Sequence, residues 1–325
     1  MSHPTIKDVA NKSGVGIATV SRVLNNSSQI SPQTYEKVMK VIKELNYVPN
    51  ATGKKLSQNR THVIAVIVPV INHPYFAKLI EEIELAADAR GYSILVASSQ
   101  HRIEREREIL KRIAQNEADG AIFVTHYEHK EEEFKGLAIV SIDRHLGKDI
   151  PIVTTDNYDA TKKAVEYLIN TGCKKIAFLG TKPSQASEVS LRAKAYLDTL
   201  KEHNLEPFVI NKIVSHGNEN EVIDEFLNKR HDFDGVYVSG CILANTLRNR
   251  LEELDDIEIP NDLQIISYDG DFCLNNYSPT TTLEQPIKDM ANKCVELLIQ
   301  LIDEEKIENM INSFNCRFVK GKTTK

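Results

Sequence analysis

TIKDVANKSGVGIATVSRVLNN, residues 5–26, decides how the N-terminal part of the chain folds. Thr5 is placed to cap a helix with Asp8 at its third position, a capping-box-like start, and Ile6, Val9 and Ala10 follow at helical spacing. The spacing predicts a first helix from Ile6 to about Lys12. Ser13-Gly14-Val15-Gly16 interrupts it, and Ala18, Val20, Val23 and Leu24 resume the helical pattern until the polar run Asn25-Asn26-Ser27-Ser28. A third start follows at once: Ser31 as cap and Pro32 at the first helical position open a stripe of Tyr35, Val38, Met39, Ile42 and Leu45. Two short helices joined by a glycine turn and backed by a third make a helix-turn-helix unit. The alternative is a three-helix bundle used for protein contacts alone.

Such a unit reads duplex DNA by laying its second helix in the major groove, with the first residues of that helix at base edges and flanking polar groups at phosphates. Here Ile17 and Ala18 offer apolar contact, as to a thymine methyl, while Arg22 is able to bond a guanine edge in a bidentate way. Thr19, Ser21 and Asn25 are expected at phosphates, and Thr5 and Asn50, at the two ends of the head, complete the DNA-facing set. The charge distribution agrees. Residues 1–60 hold nine Lys and Arg against three Asp and Glu, a charge of +6, whereas the whole chain carries −6, so the remainder carries −12. A basic head on an acidic body suits a segment that meets a polyanion.

From Thr61 onward short apolar runs alternate with amphipathic segments. VIAVIVP (63–69), SILVAS (93–98), AIFVT (121–125), AIVSID (138–143), KIAFLG (175–180), GVYVS (235–239) and QIISYDG (264–270) read as buried parallel strands. Helix-like stretches lie between them, at 75–90, 103–116, 159–171, 190–203, 218–230 and 242–254. Strand and helix in turn imply doubly wound parallel sheets, whose ligands bind beyond the carboxyl ends of strands. Asn72, Tyr75 and Phe76 follow the first strand, Arg144 follows the fourth, and Asp156-Asn157 follow a further one. Asp143 and Arg144 read equally as a surface ion pair, and Tyr75 and Phe76 as helix-face core.

The stretch from residue 5 to residue 56, above all ATVSRVLN (18–25) followed by NYVPN (46–50), closely resembles the head of the lactose/galactose repressor family of bacterial transcription regulators. The resemblance extends through almost the whole chain, and VKGKTT (319–324) resembles the corresponding end of sucrose and ribose operon repressors within it. It implies an N-terminal all-α helix-turn-helix headpiece (1–49), a hinge (50–60) and an α/β body (61–325) of two doubly wound lobes resembling a periplasmic sugar-binding protein. The lobes would exchange chain, one holding 61–157 with 284–306 and the other 158–283 with 307–325. The hinge NATGKKLSQNR (50–60) is too short to fold alone. By resemblance it becomes a helix on operator DNA, Leu56 wedging into the minor groove with Lys54 and Lys55 near phosphates.

The same resemblance marks Asn72, Tyr75 and Phe76 as an amide and an aromatic wall, and it adds Arg192 and Asp269 to Arg144 and Asp156 around a cleft, with Gln285 at a chain crossover nearby. Carboxylate, amide and guanidinium groups about an aromatic face suit a polyhydroxy ligand, a small sugar or sugar phosphate. The implied partners are palindromic double-stranded operator DNA, this effector and a second copy of the chain in a homodimer, with the helix at 75–90 (Leu79, Ile80, Ile83, Ala86, Ala87) as candidate interface or core. Four departures from the family stand out. Gly16 replaces a serine that would cap the second helix, and Gly53 replaces an alanine, making a hinge helix about 1 kcal/mol less favourable. Gly240-Cys241 replaces Asn-Asp, and Ala160-Thr161 replaces paired glycines.

Other classes are poorly written here. The 325 residues, 41% hydrophobic and 26% charged, have ordinary globular composition for about two domains. No run approaches the roughly 18 apolar residues of a membrane span, and MSHPTIKDVANKSG lacks the apolar core of a secretory signal. The chain is therefore expected to be soluble and cytoplasmic, without membrane contact. Its five cysteines, at 173, 241, 273, 294 and 316, are too scattered for a zinc ribbon or disulfide framework, so structural thiols are expected. Gly14-Val15-Gly16 lacks the strand and third glycine of a dinucleotide fingerprint, and Gly235–Gly240 has phosphate-loop spacing but Cys241 where lysine is required. His126-Tyr127-Glu128-His129, beside Lys130-Glu131-Glu132-Glu133, reads as a solvated face rather than a metal site. Neither an enzyme nor a bound metal or cofactor is expected. The rival reading is a sugar-sensing binding protein with no operator of its own, which would have no use for the head.

Overall fold

The fold is that of a computed structural model, which describes residues 4–24, 30–47, 60–181, 186–212, 219–270 and 280–325. It divides into two compact units, residues 1–61 and 62–325.

In the first unit, α1 (Ile6–Ser13), α2 (Ile17–Leu24) and α3 (Pro32–Glu44) enclose a small core of Val9, Ala10, Val20, Val23, Val38, Val41 and Tyr47. The capping box forms: the Asp8 amide donates to Thr5 Oγ1 at 3.4 Å, and the Thr5 amide donates to Asp8 Oδ2 at 2.8 Å. Gly14 ends α1 at φ 63°, a left-handed conformation that a side chain adopts only with strain, and its N–H closes onto the carbonyls of Ala10 and Asn11. Ser31 caps α3, its Oγ accepting from the Thr34 amide at 3.3 Å.

The second unit holds two six-stranded sheets. The first runs in the order β11 (Ile311–Phe314), β5 (Ile152–Thr155), β4 (Ile139–Ile142), β3 (Gly120–Phe123), β1 (Val63–Val68), β2 (Ser93–Ser98), all parallel. Its four inner strands are buried on both faces because alternate residues serve different cores, while the edge strands β2 and β11 stay partly exposed. Ile64 and Val66 of β1 pack with α4 (Pro74–Asp88) and α10 (Ile287–Ile302), whereas Ala65 and Ile67 pack with α5 (Ile103–Ala114). The second sheet runs β12 (Arg317–Val319), β10 (Thr281–Glu284), β9 (Gln264–Asp269), β8 (Gly235–Val238), β6 (Ile176–Thr181), β7 (Phe208–Lys212), with β12 alone antiparallel. One face is covered by α6 (Asn157–Asn170) and α7 (Ser190–Glu202), the other by α8 (Glu219–Leu227) and α9 (Cys241–Leu254).

Two points differ from the sequence reading. The chain crosses between sheets at Asp156-Asn157, again after Glu284 and a third time between β11 and β12, so residues 307–314 do not belong with the second lobe. β11 lies parallel to β5, Ile311 against Ile152, and Ile307 and Phe314 pack on the first core. The 75–90 helix, read as interface or core, packs into the core through one face: Leu79, Ile83, Ala86 and Ala87 are buried against α10, and Leu85 stands 60% exposed. The 126–129 segment is not a solvated face. His129 has no side-chain exposure, and its Nε2 lies 2.7 Å from Glu106 Oε2, a carboxylate equally buried on α5 that also accepts from Thr125 Oγ1 at 2.7 Å.

Cys173, Cys241 and Cys294 are free and buried, and Cys316 is free and half-buried; Cys273 lies outside the described residues. No described helix is long and apolar enough to cross a membrane.

Candidate functional site

Two surfaces carry the expected chemistry. On the first, α2 turns Val20 and Val23 into the head core, and helical spacing then leaves Ile17, Ala18 and Arg22 exposed along one side, with Thr19 and Ser21 half-buried beside them. Ile17 is 45% exposed, an apolar side chain held in water at the start of a helix. The hydroxyl of Thr5 is engaged in its own cap, donating to Asp8 Oδ2 at 2.7 Å. Asn25, Asn50, Lys54, Lys55 and Leu56 lie outside the described residues, as does Gly53.

Gly16 stands at the cap of α2, its carbonyl accepting from the amides of Thr19 at 2.9 Å and Val20 at 3.1 Å. A Cβ there would meet only Thr19 Oγ1, at 4.0 Å. Gly16→Ser is therefore expected to stabilise the head by a few tenths of a kcal/mol and to add a hydroxyl at the start of α2. Thermal unfolding and operator titration of the full chain check this; a lowered midpoint together with weakened binding contradicts it.

The second surface lies at the carboxyl ends of the strands in the body. Asp143 and Asp269, at the ends of β4 and β9, both take positive φ, 61° and 85°, an arrangement that non-glycine residues adopt only where the surroundings impose it. Arg192, near the start of α7, is the hub. Its Nε donates to Asn157 Oδ1 at 2.7 Å, its Nη1 donates to the Ser239 carbonyl at 3.0 Å and lies 4.0 Å from Asp269 Oδ1, and its guanidinium carbon sits 3.5 Å over the Tyr268 ring. Burial opposes its charge, but Tyr268, Asp269, Tyr237 and Asp143 hold it more firmly protonated than an ordinary arginine. Asp269 accepts in turn from Gln285 Nε2 at 2.8 Å and from the Cys241 amide at 3.3 Å. A side chain at Gly240 would make only ordinary contact with that carboxylate, at 3.6 Å, so the missing Asn-Asp pair leaves the local backbone intact.

Arg144 is buried rather than part of a surface ion pair. Its Nε donates to the Thr125 carbonyl at 2.7 Å, and its Nη1 donates to Ser187 Oγ of the other lobe at 2.5 Å. Around it the His145 amide donates to the Ala186 carbonyl at 3.2 Å and the Glu188 amide to the Asp143 carbonyl at 3.0 Å, closing an antiparallel bridge between the lobes. Thr155 and Tyr268 share a hydroxyl contact of 2.7 Å across the same boundary.

Two polar atoms in this region are buried without a partner: Tyr75 Oη and Gln285 Oε1. Burial, with Asp143 and Asp269 nearby, raises the Tyr75 phenol well above its usual range, so it is a hydroxyl and a donor. Phe76 stands edge-on to Tyr75, with ring centroids 5.4 Å apart, and is otherwise a core residue.

The remaining expected residues do not join this group. Asn72 is exposed on the loop after β1. Asp156 serves the crossover, its Oδ1 accepting from the Cys316 amide at 2.7 Å. Asn157, named in the sequence only as following a strand beside Asp156, helps fix Arg192, as do Ser239 and Tyr268, which sequence reasoning missed.

Comparison with known proteins covers both units. Residues 5–50 match the model of bacterial regulatory proteins of the lacI family, and residues 165–324 match a periplasmic binding protein-like domain. A sucrose operon repressor of Lactococcus lactis subsp. lactis is 33% identical over 93% of this chain and 95% of its own length, and a ribose operon repressor of Halalkalibacterium halodurans is 30% identical over 99% and 97%. Among solved structures, the lac repressor dimer bound to operator and an anti-inducer superposes with a TM-score of 0.86 at 23% identity, each chain covered to 99%. A complex of the transcriptional regulator CelR with cellobiose gives 0.72 at 25% identity over 98% and 99% of the two chains.

Proposed function

The chain belongs to the lacI family of bacterial regulatory proteins, and from that premise we propose that it is a cytoplasmic, homodimeric repressor of a carbohydrate-utilisation operon. Residues 1–49 read the operator, with Ile17 and Ala18 at base edges and Arg22 on a guanine. Residues 50–60 couple head to body, and the body senses a small sugar or sugar phosphate between its lobes. Binding, not catalysis, is its chemistry. The relatives named for sucrose and ribose operons support the class of operon, and the cellobiose complex supports the class of ligand.

The observation that carries the effector site is the pair of orphaned atoms. A buried hydroxyl or amide without a partner costs roughly 1–3 kcal/mol, which a ligand that pairs with it offsets. Tyr75 Oη is a donor and Gln285 Oε1 an acceptor, adjoining the charged pair Arg192 and Asp269; together they match the donor-and-acceptor character of sugar hydroxyls. Because the lobes bridge at Arg144 and Ser187, a ligand that prefers the bridged body shifts the DNA equilibrium by its differential affinity and no further.

The test titrates the full chain into a duplex of its own promoter across a salt series, with and without sugars. Log affinity should fall steeply with log salt, and one sugar should change operator affinity. A flat salt response removes the regulator and leaves a sensing module. Tyr75→Phe deletes the orphaned hydroxyl, so the unliganded body should be as stable as before or up to about 1 kcal/mol more so, while effector affinity falls about tenfold. Unchanged effector affinity removes Tyr75 from the site.

A further inference from the structure

The loop that follows β3 is folded around an imidazole. His129 has no side-chain exposure, and its ring stands edge-on to Phe123 and tilted against Phe134, with centroids 5.4 and 5.5 Å away. Both of its nitrogens meet carboxylates, from different elements. Nε2 lies 2.7 Å from Glu106 Oε2 on α5, and Nδ1 lies 3.2 Å from Glu133 Oε2 on the short turn Glu131–Phe134. Glu133 is held ionised: Arg107 donates to it at 2.8 and 3.2 Å and the Lys130 amide at 3.1 Å, and these bonds, with His129 itself, bring its carboxyl down to about 2 against the effect of partial burial.

An ionised carboxylate only accepts, so Nδ1 carries a hydrogen. A neutral imidazole then has a bare lone pair on Nε2, aimed at a carboxylate oxygen 2.7 Å away. Two acceptors do not rest at that distance, so a further proton lies between them. It belongs to the pair, as imidazolium with carboxylate or as imidazole with carboxylic acid. Arg107, beside Glu106 in the chain, turns to Glu133, while Glu106 Oε1 is buried with no partner among the described residues. Glu104 and Tyr127 adjoin the same group. Burial, then the charges of Glu106 and Glu104, raises the Tyr127 phenol, which stays a hydroxyl, and burial, then Arg144, keeps the nearby His126 imidazole neutral by pushing it down to about 3.

Glu106 ties both ends of this loop. Its Oε2 accepts from the Thr125 hydroxyl at 2.7 Å, and that hydroxyl oxygen accepts in turn from the Tyr127 amide at 3.0 Å. The carbonyl of the same Thr125 accepts from Arg144 Nε at 2.7 Å, and Arg144 Nη1 donates to Ser187 Oγ of the other lobe at 2.5 Å. A continuous chain of bonds therefore runs from the buried proton to the bridge between the lobes.

We propose that His129 and Glu106 are positioning residues for the lobe bridge, holding the Thr125 carbonyl against Arg144 only while they share a proton. Removing the proton sets a lone pair against a buried carboxylate, a repulsion that the loop relieves by drawing Thr125 off Arg144. The sign follows from linkage. The bridged body holds one proton more than a body whose clamp has opened onto a neutral imidazole, so bridging is favoured at low pH and lost as pH rises. The bridge itself is independent of what the cleft binds; only the consequence, a regulator whose set point follows pH, rests on the proposed function.

Hydrogen exchange of the unliganded full chain tests it, read at the amides of His145 and Glu188, which donate across the lobe boundary to the carbonyls of Ala186 and Asp143, with the amides of β1 as reference. After correction for the intrinsic effect of pH on exchange, protection at both should fall about tenfold or more between about pH 6 and about pH 9. Glu106→Gln offers Nε2 a permanent amide hydrogen, so it should keep the bridge protected and make it insensitive to pH. A second titratable pair sits at the bridge, His145 Nε2 lying 2.6 Å from Glu188 Oε1. His145→Gln removes that imidazole and should leave the pH dependence in place. Protection that stays flat across this range in the unaltered chain overturns the proposal, whether or not either variant folds. So does a pH dependence that survives Glu106→Gln or vanishes with His145→Gln.

Discussion

Arg22→Ala is expected to weaken binding to the specific operator by roughly 30-fold to 10⁴-fold, the largest effect of any single change in the head. The range follows from one bidentate arginine–guanine contact, worth about 1–3 kcal/mol, lost from each of two heads in a dimer. The side chain is exposed on the outer side of α2, so its removal leaves no buried group unpaired and should cost the fold little. Anisotropy titration at one salt concentration, run in parallel on the operator and on a scrambled duplex of equal length, separates base reading from charge. Affinity for the scrambled duplex should fall far less. An equal loss on both duplexes would turn Arg22 into a phosphate contact and move the specificity to Ile17 and Ala18.

That prediction draws on the most legible part of the chain. The caps at Thr5 and Ser31 and the glycine turn at Gly14 each announce a helix end through local chemistry, and the described helices begin and end there. Most strands that were legible, β1, β3, β4, β6, β8 and β9, are continuous apolar runs because both faces are covered, and β2 is legible as an apolar run at the sheet edge. β7, β10, β11 and β12 read FVINK, TTLE, INSF and RFV and escape the same test, and β5, IVTT, shows only as the unlocated strand before Asp156-Asn157. They are short, and the burial of their threonines depends on partners far along the chain: Thr155 meets the Tyr268 hydroxyl, and Thr281 meets the Thr324 hydroxyl at 2.8 Å. A periodicity argument sees the threonine and not the partner.

The cleft was legible in the same uneven way. Arg192 and Asp269 came from family resemblance, and their environment makes sense of both. The residues that hold Arg192 were less legible, since Asn157, Ser239 and Tyr268 lie on three different elements that only the fold brings together. His129 was misread for a related reason. Its sequence neighbours are Lys130 and three glutamates, which suggest water, but the residue that decides its environment is Glu106 on another element.

Arg192 is where the cost of a broken network should be greatest. Arg192→Met keeps the length of the side chain and removes its charge, leaving Asn157 Oδ1 and the Ser239 carbonyl without a donor and the Asp269 carboxylate buried without its cation. Removing one partner of a buried pair in this way costs about 3–5 kcal/mol, more than the pair itself contributes relative to an apolar replacement. In urea the midpoint for the body should fall by roughly 1–2 M. The attribution is checked by a second change. Asp269→Asn added to Arg192→Met removes the stranded charge while keeping an acceptor for Gln285, so the double variant should recover at least about 1 kcal/mol relative to the sum of the single losses. Arg192→Lys should fall between, since an ammonium restores the charge but not the planar fork that reaches Asn157 and Ser239 together or the face that stacks on Tyr268. Strict additivity of the two changes would mean that the 4.0 Å separation of Arg192 and Asp269 carries no coupling, and that Arg192 is held by its neutral partners alone.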